Sequence, residues 1–102
     1  MSDTNKYIVE AVGTFVFLSV IMHSMADKSI GGPGIAIALL AVIYLGGSIS
    51  GGHFNPAVSV AMFMEKQIPY NLLIGYIIAQ LVGAAGAWKF NDLILKNLNR
   101  IA

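Results

Sequence analysis

Apolar residues fill three long stretches of this chain, and polar residues gather between them. The first runs from about Tyr7 to Met25, with Glu10 and His23 as its ionisable interruptions, close to the roughly 20 residues a helix needs to cross a bilayer. A loop, Ala26-Asp27-Lys28-Ser29, and a break at Gly31-Gly32-Pro33-Gly34 follow, since clustered glycine and proline interrupt helices. The second stretch covers about 35–48 and the third about 70–88, from Tyr70 to Trp88. Between them, over about 49–66, the pattern fails: Gly46-Gly47 and Gly51-Gly52 let the backbone bend, and Ser50, His53 and Asn55 are polar. Asn55 is a good helix cap and Pro56 suits a first helical position. The spacing therefore predicts a helix from Pro56 to about Lys66, roughly 16 Å long against a hydrocarbon thickness of ~30 Å. Glu65-Lys66-Gln67-Ile68-Pro69 returns the chain to the third stretch. Beyond it, residues 90–102 form an amphipathic tail with Phe90, Leu93, Ile94, Leu98 and Ile101 on one stripe, which either extends the third span or lies along the headgroups.

Composition puts these stretches in a membrane. The 102 residues are 57% hydrophobic and only 11% charged, with a mean hydropathy of +0.75, far more apolar than an ordinary soluble domain. They make one domain. A net charge of +1 offers no field for nucleic acid. With no cysteine there is neither a disulfide nor a thiolate metal site. Met1 to Lys6 lacks the basic start of a cleavable signal peptide, so the first stretch is expected to stay in the mature protein.

Irregular backbone at membrane depth survives only where protein buries it or water wets it, because each bare polar group costs several kcal/mol in hydrocarbon. The stretch from Ser50 to Val60 is thus a candidate pore or binding site. A half-membrane helix aims the positive end of its dipole at the midplane, and discontinuous helices of this kind mark many transport sites. If the Asn55 side chain is not consumed as a cap, its amide NH₂ offers two donors to a passing oxygen. Glu10 stands out too, since an acid inside a span is costly and tends to be functional; the plainer alternative is an interfacial acid near a helix start. His23 reads as interfacial. His53 has no second ligand beside it, so loop bracing suits it better than metal binding, and no cofactor is implied. No paired carboxylates or nucleophile–base clusters suggest an enzyme. Gly75, Ala79, Gly83 and Ala87 recur every four residues, a small-residue ridge for close helix packing.

Taken together, Ser50-Gly51-Gly52-His53-Phe54-Asn55-Pro56-Ala57-Val58-Ser59 resembles the Asn-Pro-Ala signature of the aquaporin and aquaglyceroporin family, in the first of that family's two repeats. Glu10-Ala11-Val12-Gly13-Thr14 is similar to the family's first-helix motif, and Tyr76 to Ala84 to its third helix. The resemblance covers about Glu10 to Trp88. It implies that Asn55, Pro56 and Ala57 form the pore signature. The carbonyls of Gly51, Gly52, His53 and Phe54 then line the channel, Glu10 accepts hydrogen bonds from the loop, and Gln80 bonds to the loop or the first span. It also implies a constriction at Ile35, Ile43, Gly52 and Val58, where Val58 replaces an arginine of the two-repeat relatives.

Only one repeat is present. The expected fold is an all-α membrane protein of three transmembrane helices and one re-entrant half-helix, half an aquaporin fold completed by an inverted second chain. The implied partners are the bilayer, water or small neutral solutes such as glycerol, and the chain itself, as an antiparallel homodimer per pore and a tetramer of such dimers. Lys6 and Lys66 fall on one membrane side, and Lys28, Lys89, Lys96 and Arg100 on the other; so slight a bias permits both orientations. The alternative is a non-conducting structural or regulatory subunit that assembles with another channel half. A small exporter would need a deeper carboxylate than Glu10.

Overall fold

The computed structural model describes residues 2–101, the side chains of 95, 96 and 98–101 excepted. Among the described residues there are four helices and no strand: α1 (Asp3–Ala26), α2 (Gly31–Ser50), α3 (Pro56–Met64) and α4 (Tyr70–Ile101). Three of them, α1, α2 and Tyr70–Ile94 of α4, are long and apolar enough to cross a membrane.

Local chemistry sets the ends. Ser2 caps α1 by accepting from the Asn5 N–H. After α1, the Ser29 hydroxyl and N–H both donate to Asp27 Oδ1, an Asx turn. These bonds, the hydroxyl first, hold the Asp27 carboxyl below its ordinary pKa. Helix α2 starts at Gly31, four residues ahead of the expected start at Ile35. Pro33 sits in its first turn, where a missing N–H breaks no bond, and Gly34 already donates to the Ile30 carbonyl at 3.1 Å. Gly46-Gly47, expected as a bend, are helical; the turn comes at Gly51, left-handed at φ +91°, whose N–H closes on the Gly47 carbonyl. This is how a glycine ends a helix.

Asn55, extended at φ −162°, begins α3 with Pro56 as its first residue. The helix stops at Met64, two residues short of the expected end, because Lys66 turns left-handed (φ +61°) and Gln67 bonds back to the Met62 carbonyl. Its 9 residues span roughly 13 Å. Nothing after Trp88 breaks a helix, so α4 runs on for 32 residues, through the segment set apart as a tail. Tyr70 and Trp88 are both exposed and stand roughly 27 Å apart along α4, a separation that suits interfacial aromatics at the two faces. The stripe positions Leu98 and Ile101 have side chains outside the described residues.

Lipid supplies no hydrophobic drive between helices, so close packing does the joining. Helices α1 and α4 lie side by side in the same direction. A methyl on Gly75 would strike the Tyr7 ring, and one on Gly83 would strike the Ala11 carbonyl. Ala79 and Ala87, from the same ridge, are buried. Farther along, Phe15 meets Phe90 edge to face at 5.6 Å. Helix α2 packs on α1, and α3 on α4. Gly83→Ala is expected to destabilise the protein by about 1–3 kcal/mol, read by thermal unfolding in detergent. Gly47→Ala, whose methyl would meet only Ile43 at 3.7 Å, should leave stability unchanged or raise it by up to about 1 kcal/mol.

Candidate functional site: a re-entrant loop around a buried carboxylate

Residues 51–54 connect α2 to α3 through an unusual backbone. Gly51, Gly52 and Phe54 all have positive φ, at +91°, +69° and +53°. The glycines adopt this freely; phenylalanine does so at a cost. The turn aims successive N–H groups at one acceptor. His53 N–H donates to Glu10 Oε2 at 3.1 Å, and Phe54 N–H to Glu10 Oε1 at 2.7 Å.

Glu10 is fully buried (0% exposed) at the meeting of α1, the loop and α4. Besides the two N–H groups it accepts the Ser50 hydroxyl at 2.7 Å and Gln80 Nε2 at 2.9 Å. Four donors converge on its two oxygens and take the place of the water that burial removes. Gln80 Nε2 also reaches Ser59 Oγ at 2.9 Å. That fixes the amide orientation, since the reverse would set its oxygen against the carboxylate.

Ser59 Oγ in turn pairs with His53 Nδ1 at 2.8 Å, and the His53 ring meets Tyr76 edge-on at 4.9 Å. Tyr76 donates its hydroxyl to the Ser50 carbonyl. The His53 side chain thus braces α3 to the loop. Among the described residues no three of His, Asp and Glu converge as a metal cage.

Asn55 does two things with one side chain. Its Oδ1 accepts the Ala57 N–H at 2.8 Å, which caps α3 and turns the amide nitrogen the other way. Capping takes the oxygen and leaves both N–H donors free, so the two uses do not compete. Asn55 is exposed. Ile43 and Gly52 are neighbours: a methyl on Gly52 would lie 3.5 Å from Ile43 Cγ1. Ile35 is two helical turns away, roughly 12 Å along α2, so one chain does not gather the four constriction positions. Val58 sits half-buried on α3, which packs on α4.

Ser50, Ser59 and Tyr76 belong to the network although sequence reasoning gave them no role. Their signal was weak: a hydroxyl in an apolar helix can satisfy itself locally. Ser59 and Gln80 do fall one helical turn from Asn55 and Tyr76, the spacing that sets side chains on one face. Glu10→Gln, which turns one acceptor oxygen into a donor facing donors, is expected to lower stability by about 2–4 kcal/mol. Ser59→Ala should cost about 1 kcal/mol, both read by thermal unfolding.

Comparison with known proteins identifies the family. Residues 1–101 match the family described as Major intrinsic protein. The chain is 39% identical over 93 residues to Aquaporin NIP3-1 of Arabidopsis thaliana, covering 82% of this chain and 29% of that protein. It is 45% identical over 83 residues to Glycerol uptake facilitator protein-like 6 of Lactiplantibacillus plantarum (78% and 38%), and 37% identical over 93 residues to Aquaporin Z of Brucella melitensis (81% and 41%). The chain therefore spans less than half the length of these curated relatives. No solved structure matches it. With three membrane-crossing helices and a capped stub held by a buried carboxylate, the chain is an integral, multi-pass membrane protein and belongs to the major intrinsic protein family.

Proposed function

We propose that two copies of this chain, inverted relative to one another, enclose a passive channel for water and small uncharged solutes such as glycerol. The observation that carries the reading is the free Asn55 amide at the N-terminus of a helix that stops partway across the membrane. The oxygen is used by Ala57 while the nitrogen is unused, so a solute oxygen finds two oriented donors and the positive end of a helix dipole. Among the described residues, no hydrogen bond is directed at the carbonyls of Gly51, Gly52, His53 and Phe54, which leaves them as acceptors for the solute's hydrogens. The relatives are named aquaporins and a glycerol uptake facilitator.

A second chain is called for because one stub faces an unfilled half-membrane. Ala57, Val60, Ala61 and Met64 of α3 are exposed and apolar, a surface suited to another protein helix. A true two-fold axis in the membrane plane brings two such stubs tip to tip, in place of the internal pseudo-symmetry of inverted repeats. The inverted copy also supplies a second Ile35 from the opposite direction, completing at each mouth the ring begun by Ile43, Gly52 and Val58. Both mouths are then identical, aliphatic and uncharged, which suits neutral solutes. Two dipoles and two amides of one sign oppose cations at the centre. Four such pores, eight chains, make the assembly by analogy with the family.

Osmotic shrinkage of liposomes holding only this chain tests the reading. Wild-type vesicles should shrink faster than empty ones, Asn55→Ala should slow both water and glycerol, and Val58→Arg should reduce glycerol more than water. Wild-type vesicles no faster than empty ones would leave a non-conducting subunit. Single cysteines at either terminus should label from both membrane faces; labelling from one face alone would exclude the inverted pair.

A further inference from the structure

Phe54 enters the argument above only through its backbone. Its side chain is 2% exposed and lies in a cradle made by three glycines from three parts of the chain. A methyl on Gly13 of α1 would overlap the ring, while one on Gly46 of α2 or Gly52 of the loop would stand 3.5 Å from it. The same residue is left-handed at φ +53°, a conformation for which glycine is the easy choice. A bulky residue persists in such a conformation only where its surroundings over-determine it. Here the Glu10 bond holds the N–H and the cradle holds the ring.

Asn55 follows directly. Its own bonds, from Oδ1 to the Ala57 N–H and from its carbonyl to the Ser59 N–H, stay within its own helical turn, and α3 packs against α4 but not against α1 or α2. The helix is tied to α4 and Glu10 through Gln80, which bonds both Ser59 and Glu10, and its tip is tied to α1 and α2 through the residues just before it. Of these, His53 turns its ring to Ser59 and Tyr76, while Phe54 donates its N–H to Glu10 and sets its ring among Gly13 and Gly46 of α1 and α2. We propose that the Phe54 ring is a positioning residue, a wedge between α1 and α2 that fixes where the Asn55 amide points. The inference deepens the pore reading, since the amide it aims is the one offered to solute. Beside the ring an apolar groove of about 340 Å³ runs between α1 and α2, lined by Gly13 and Gly46 of the cradle and by Val9, Val12, Val42 and Leu45 among others. This is the outlet into which the ring moves when its cradle is narrowed.

Backbone hydrogen exchange, followed by NMR on the full chain, tests the wedge without any flux, so its failure and that of the pore reading are told apart. The reporter is the Ala57 N–H that Asn55 caps, with the Ala79 N–H in α4 as reference. Phe54→Gly, which relieves φ but empties the cradle, is expected to speed Ala57 exchange roughly tenfold or more relative to Ala79. Gly13→Ala, on another helix, should do the same by displacing the ring. The double variant Gly13→Ala/Phe54→Leu, with a smaller side chain in a smaller cradle, should lie closer to wild type than Gly13→Ala alone. Where Phe54→Gly fails to fold, the Gly13→Ala pair decides. Ala57 exchange that stays at the wild-type rate, or that rises only in step with Ala79, would overturn the proposal by reducing the ring to a space filler.

Discussion

A buried carboxylate organises this protein. Glu10 lies on α1, yet its donors come from the end of α2 (Ser50), from the loop (His53 and Phe54) and from α4 (Gln80). A polar side chain buried this completely is tolerable only when partners replace its lost hydration, so the carboxyl group and its four donors hold one another in place. The loop's backbone has the converse need. Turned out of helical bonding, its N–H groups require an acceptor that is not water. One side chain answers both demands, and the chain turns back into the membrane where a continuous helix would have crossed it.

The packing around that carboxyl group follows from how close it must sit to everything. Gly83 on α4 brings α1 to backbone contact, Gly13 and Gly46 make room for Phe54, and Tyr7 covers Gly75. Small residues on facing helices allow close packing, and that approach also brings polar groups within bonding range, both of which hold helices together in lipid. The half-helix is then the part left over: a nine-residue segment braced by Ser59 against Gln80 and His53, with its capped end free.

Much of this was legible in the residues. Three apolar stretches of membrane length and Asn55-Pro56 as cap and first residue each carried one physical meaning, while the acid at position 10 stood out but left two readings open. What was not legible came from tertiary context. Gly31-Gly32-Pro33-Gly34 resembles a break, but a proline in a first turn is compatible with a helix start, and Gly34 leaves room for the Ile30 side chain packed against it. Gly46-Gly47 resembles a hinge, yet both are helical, and Gly46 is small because Val9 and Phe54 press on it. Lys66 ended α3 early through a left-handed turn that no propensity signals. Ser50, Ser59 and Tyr76 are unremarkable in sequence because they bond to residues far along the chain, Ser50 to Glu10 across 40 positions, Tyr76 to Ser50 across 26 and Ser59 to Gln80 across 21. Ile35 and Ile43 were grouped by position in a family pattern, and only the helix geometry separates them within one chain.

The inverted pairing of stubs is tested most directly by where two copies touch. The sequence contains no cysteine, so a cysteine introduced at Ala57, beside the capped end of α3, is unique, and so is one at Met64, roughly 10 Å farther along the same helix. Oxidative cross-linking of each variant in vesicles should join two chains through position 57 and not through position 64. Cross-linking through 64 with none through 57 would contradict stubs meeting tip to tip.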